Sequence, residues 1–179
     1  EQDATGEMIL HFPRSVVLYP EKNGKIPDWL RCRIIFQDDS EHTYQVPTVK
    51  MQDYSMEEIQ RKHLILFLPY VLLRLRPQLE SRNGIKKEEL TSLVNSVIVI
   101  LNEEVQLGNI TELQQKDILE LFNRASKKIF THYPEYQREV SSMTELKIKT
   151  LSMQLAEKDE QLAEQKEQLA TYRAELADR

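Results

Sequence analysis

The 179 residues carry a net charge of -5, with a pI near 5.5, which argues against attraction of the whole molecule to nucleic acid and leaves only a local basic patch to consider. A single cysteine, Cys32, excludes an internal disulfide framework and fits a reducing, cytoplasmic setting. Thirty per cent charged residues against forty per cent apolar is the mixture that a long solvated helix attached to one moderate domain would give. The chain begins at Glu1 without a methionine and reads as a piece of a longer protein.

Residues 1 to 11 are polar and turn apolar at Met8, Ile9 and Leu10. After Pro13, Ser15 to Tyr19 has the β-branched and aromatic content of a short buried strand, stopped by Pro20. Asn23 and Gly24 supply the positive φ values of a tight turn. Arg31 to Phe36 and His42 to Val46 read as a second and a third strand. Asp38 to Glu41 makes the hairpin between them, and Pro47 is the edge or exit of the last strand. Residues 1–54 are thus expected to be a small antiparallel strand unit.

Ser55-Met-Glu-Glu58 matches a capping box, in which the serine accepts from the amide three residues on and the glutamate returns to the serine amide. The helix it opens is expected to run into Leu64 to Leu75, a long apolar run too short to cross a bilayer and therefore core. Pro69 should kink or split that helix and Pro77 end it. Leu90, Leu93, Val94, Val97, Ile98, Leu101 and Val105 follow helical spacing, closed by Gly108 as a left-handed cap. Thr111-Glu-Leu-Gln114 is a second capping box, opening a helix with an expected inner face of Ile118, Leu121, Phe122, Ala125 and Ile129 and a stop at Pro134. Residues 55–135 are a helical region, and the fold class is α+β.

From about Ser141 the chain repeats every seven residues. Ile148, Leu155, Leu162, Leu169 and Leu176 share one stripe, beside Ala156, Ala163, Ala170 and Ala177, while the second core position reads Leu151, Lys158, Gln165, Tyr172. Residues 141–179 are therefore a coiled-coil tail expected to join copies of the chain into a homo-oligomer, the alternative being a single solvated helix held by charge pairs.

Chemistry is sparse. His11, His42, His63 and His132 have no metal-ligand spacing, alone or with Cys32, and the few glycines form no phosphate loop. Nothing in the spacing marks a catalytic, cofactor-binding or metal-binding residue, and no signal peptide or membrane span is present. Arg74, Arg76, Arg82, Lys86 and Lys87 gather around one loop and are candidate contacts to a DNA backbone; two of them also suit the C-terminal end of a helix dipole.

Phe12 to Tyr19, Tyr44 to Gln52, Glu57-Glu-Ile59 and the run Leu64 to Leu75 come in an order that resembles the C-terminal part of the bacterial PD-(D/E)XK nuclease family transposases, or recombination-promoting nucleases. The resemblance spans about residues 8 to 135, and heptad tails occur in that family as well. It implies a parent that cuts DNA with magnesium, held by a strand aspartate and an acid-x-lysine or acid-x-glutamine pair. In this chain Pro27-Asp28 is followed by Thr48-Val-Lys50, with no acid two before the lysine. Glu58-Ile-Gln60, Glu104-Val-Gln106 and Glu145-Leu-Lys147 fit by letter but fall on expected helices. No catalytic residue is carried over. The chain is expected to be a non-catalytic accessory and oligomerisation portion of such a transposase, or alternatively a stand-alone interaction scaffold with no link to DNA.

Overall fold

A computed structural model describes residues 14–21, 24–79, 81 and 84–177, without side chains for 171, 172 and 174–177. Met8 to Leu10, His11, the Phe12-Pro13 start of the resemblance, Asn23 and Arg82 lie outside the described residues. The fold is α+β, and the chain divides into two compact units at Tyr54 and Ser55.

The first unit is a three-stranded sheet. Strands β1 (Val17–Tyr19), β2 (Trp29–Ile35) and β3 (Glu41–Lys50) lie in the order β1-β3-β2. β2 and β3 form the antiparallel hairpin, with Trp29 opposite Pro47 and Ile35 opposite Glu41. Its turn is closed by Asp38, whose carboxylate accepts from the Ser40 amide at 3.1 Å and hydroxyl at 2.6 Å, with Asp39 at φ +61°. β1 joins in parallel, Val17 to Tyr19 against Thr48 to Lys50. The third strand does not end at Pro47 but passes through it. Beside the proline a second partner joins: β3 pairs with β2 through residue 47, the Thr48 amide still donates to the Asp28 carbonyl at 3.0 Å, and β1 pairs from Thr48 onward. A residue with no N–H to give is least costly just before that second ladder begins.

The second unit is helical. Ser55 caps α1 (Met56–Arg61) with the reciprocal bonds of the capping box, Glu58 amide to Ser55 Oγ at 3.1 Å and Ser55 amide to Glu58 Oε2 at 3.1 Å. This helix stops before the apolar run instead of entering it. His63 turns left-handed at φ +54°, its amide donates to Gln60 and the Leu64 amide reaches back to Ile59 at 2.8 Å. That is the six-to-one and five-to-two pattern of a Schellman cap, with histidine where glycine is usual. The apolar run then winds as a 3-10 helix, Ile65–Leu75, followed by the short α2 (Arg76–Leu79). Pro69 is buried inside the 3-10 helix, so the expected kink is replaced by a different winding that begins upstream of the proline. Phe67, Leu68, Val71, Leu72 and Leu75 are buried, and the run packs chiefly on α4.

α3 (Lys87–Gln106) buries Leu90, Val94, Val97, Ile100 and Leu101, and also Glu104. It ends on a second Schellman cap, with Gly108 at φ +75° and the Asn109 amide donating to the Glu104 carbonyl at 2.9 Å. α4 (Glu112–Ile129) opens on the capping box of Thr111 and Gln114. Its inner face is turned from the expected one: Leu119, Phe122 and Ile118 are buried together with Gln115, Asn123 and Ser126, while Leu121 is exposed. The polar members sit inside because each has a partner. Gln115 donates to Asn102 Oδ1 at 2.7 Å, and Asn123 accepts from Ser141 at 3.0 Å.

α5 (Pro134–Ala177) is one continuous helix. Pro134, expected as a stop for α4, serves as the first residue of the next helix, where a missing N–H costs nothing. Two tyrosines at its start hold the two ends of the segment between α2 and α3. Tyr133 Oη donates to the Leu79 carbonyl at 3.1 Å, and Tyr136 Oη accepts from the buried Ile85 amide at 3.0 Å. Val140, Thr144 and Leu151 are fully or nearly buried against α3 and α4.

Candidate functional site

Beyond Leu151 the character of α5 changes. Leu155 is half-buried, and every residue from Ala156 to Ala170 is exposed. The last described tie to the domain is Lys158, whose Nζ lies 2.6 and 2.7 Å from the Glu112 carboxylate at the start of α4. On the expected stripe, Ile148 is half-buried on the domain side of that tie, and Leu162 and Leu169 stand out at 49% and 58% exposure. The side chain of Leu176 lies outside the described residues. Of the second stripe, Leu151 is already used in the domain core at 2% exposure, and Lys158 is occupied by Glu112. Although Leu146 and Met153 are exposed on another side upstream, the part of the helix with apolar positions to offer on the expected stripe therefore begins near Leu155. From there to Ala177 it extends about 33 Å at the α-helical rise.

The cations expected around one loop are divided by their partners. Arg74 is half-buried, and loss of hydration lowers its pKa while the facing Glu57 carboxylate acts in the opposite sense. Glu57 is itself held below the usual carboxylate range by its own amide and the Ser55 hydroxyl, with a further contribution from Arg74. Lys87 lies 3.2 Å from Glu139 of α5. Lys86 is exposed at the N-cap of α3, Arg76 is exposed, and Arg82 lies outside the described residues. Arg74 and Lys87 thus face carboxylates of the same unit, which leaves a weaker local field than five clustered charges would give.

A third arrangement joins residues that sequence reasoning kept apart. Glu104 is 1% exposed, and its carboxylate lies 2.9 and 3.2 Å from His63 Nδ1 and accepts from Asn109 Nδ2 at 2.8 Å. The neighbouring Glu103 accepts from Gln60. His63 is the left-handed residue closing α1, and Glu104 and Asn109 belong to the cap closing α3. The cluster therefore fastens two helix C-termini to one another. The spacing Leu90, Val94, Val97, Leu101 continues to residue 104, so the inward position was there to be read.

In the sheet, Asp28 and Lys50 meet at 2.7 Å, and the lysine holds the Asp28 carboxyl below its ordinary range by hydrogen bond and charge. Thr48 donates to the Pro27 carbonyl through the same pair of strands. The carboxylate is thereby committed to a lysine, and among the described residues no three acid, histidine or cysteine side chains converge on one point. These residues do not fit the magnesium that the resemblance implies. Among the described residues no helix is long and apolar enough to cross a membrane. The chain matches no family model, no curated protein and no solved structure.

Proposed function

We propose that this chain is the accessory, self-associating part of a nuclease-type transposase, acting in the cytoplasm and holding copies of the protein together without cutting DNA itself. The observation that carries the proposal is the free-standing end of α5. It presents Leu162 and Leu169 seven residues apart at 49% and 58% exposure, and every residue from Ala156 to Ala170 is exposed, with Lys158 tied to the domain through Glu112. A helix of that length gains little from its own hydrogen bonds in water and much from a partner along its apolar stripe. The link to a nuclease parent rests on the resemblance of residues 8 to 135 and on no site in this chain. The magnesium-dependent step, in this proposal, belongs to the parent.

Two measurements test it. Light scattering of this chain should give an oligomeric mass. A magnesium-dependent plasmid-nicking assay should show cleavage by the full reading frame and none by this chain. Nicking by this chain would overturn the accessory role. Inactivity of both, with an oligomeric mass, would favour the second reading: a scaffold without DNA chemistry, which the same exposed leucine stripe supports equally well.

A further inference from the structure

We infer that one face of the β2–β3 hairpin is a binding platform for single-stranded nucleic acid, with Trp29 as the stacking surface and Arg31 and Arg33 as the phosphate contacts. Along β2 the side chains alternate strictly. Leu30, Cys32 and Ile34 are half-buried on one face, and Trp29, Arg31, Arg33 and Ile35 are exposed on the other. The register places Pro47, Gln45, Thr43 and Glu41 of β3 beside those four on the same face. Trp29 is 56% exposed and Ile35 59%.

A sheet face destined for a protein core would carry apolar residues at its middle positions. Here the middle is Arg31 beside Gln45 and Arg33 beside Thr43, cations next to hydrogen-bonding side chains, with the large aromatic at one end. That ordering suits a ligand with flat apolar faces and a regular negative charge. The two arginines are about 7 Å apart along the strand, close to the step between phosphates in an extended single strand. An indole beside them can take an unpaired base by stacking, which a base inside a duplex cannot offer. Arg33 is shared with Glu41 at 3.4 Å, but both side chains are more than half exposed, and a solvated pair of this kind is readily exchanged for a phosphate. The chain as a whole is acidic, so the attraction is local to this face. The inference uses no residue of the tail and does not depend on self-association.

Trp29 is the only tryptophan in the chain, so its fluorescence reports this face alone. The intact chain is titrated with oligothymidylate and with oligouridylate at low and at raised salt, with a duplex of the same length as competitor. Quenching should appear with one or both single strands, weaken with salt, and resist the duplex. The variant Arg31→Gln with Arg33→Gln should bind at least about tenfold more weakly and lose roughly 1.4 from the salt slope, two phosphate contacts' worth. Unchanged circular dichroism, expected because both guanidinium groups are exposed, would show that the variant is folded. The inference is overturned by absence of quenching with both oligonucleotides, by binding that the arginine changes leave intact, or by equal competition from the duplex. An unquenched, blue-shifted emission would also overturn it, because it would show an indole withdrawn from water and not a free stacking surface. The same titration on Leu162→Glu with Leu169→Glu separates this site from the tail, since binding should persist when association is lost.

Discussion

Replacing Leu162 and Leu169 with alanine removes the apolar stripe of the free-standing helix while keeping its best helix former at both positions. The size of the effect follows from exposure. In the single chain the two side chains already lose about half of their accessible surface to their own helix, at 49% and 58% exposure. Association can then add only the remaining half, about 1 kcal/mol for each leucine. Two leucines on each of two chains give about 4 kcal/mol, which is close to a thousandfold in the dissociation constant. Sedimentation equilibrium over a wide concentration range reads this directly. Glu164→Ala, an exposed change on another side of the helix, should leave the constant within about twofold. A monomeric parent protein, or a double variant whose constant moves by less than about tenfold, would refute the claim that these leucines form a seam.

Four further outcomes are expected. If the seam holds, the thermal midpoint should rise with protein concentration, because association stabilises only the folded chain, and this dependence should vanish in the double alanine variant. Tyr136→Phe leaves the buried Ile85 amide without its acceptor and should cost about 1–3 kcal/mol in urea unfolding. His63→Ala takes the ring away from the buried Glu104 carboxylate while keeping a side chain in the left-handed region, for a loss of about 1–3 kcal/mol by the same measurement. The amide of Ser55 and the neighbouring Lys62 hold Glu58 below its ordinary pKa. Its contribution is therefore present in full above the unfolded glutamate value and fades as pH falls through the folded one. Relative to Glu58→Gln, whose amide keeps the cap without titrating, the parent should lose stability between about pH 6 and pH 3.

What could be read from the chain beforehand was what is decided locally. Ser55 with Glu58 and Thr111 with Gln114 form both expected capping boxes, because each needs only residues three apart. Gly108 caps α3 for the same reason. The end of α1 was not legible, since nothing in Lys62-His63-Leu64 is a usual stop. A histidine takes up the left-handed position with its ring bonded to Glu104, 41 residues away. Burial of Glu104 was hidden for a related reason: its spacing places it inward, but a carboxylate is read as surface unless its partner is known. The turned face of α4 is another case. Gln115, Asn123 and Ser126 look solvated by type, yet Asn102 and Ser141 on other helices satisfy the first two, and Ser126 donates to the Asn123 carbonyl of its own helix. For the cation cluster, Glu57 and Glu139 decide how much charge remains, and neither adjoins the loop in sequence.

The heptad stripe was expected to serve one purpose along its whole length, and the structure divides it into a part packed in the domain and a part left exposed. Val140, Thr144 and Leu151 make the first third of α5 a wall of the domain core, so that stretch cannot pair with another chain without unfolding its own. Lys158, held by Glu112, marks the end of that commitment. Beyond it, among the described residues, Leu162 and Leu169 stand exposed on the same helix. Because no break separates the two parts, the direction in which the seam leaves the domain is set by how Val140 and Leu151 pack on α3 and α4. A loop would let joined copies tumble independently. If copies associate as proposed, a continuous helix would instead place each domain at the end of a rigid arm, and joining the arms would also set the distance and angle between the domains.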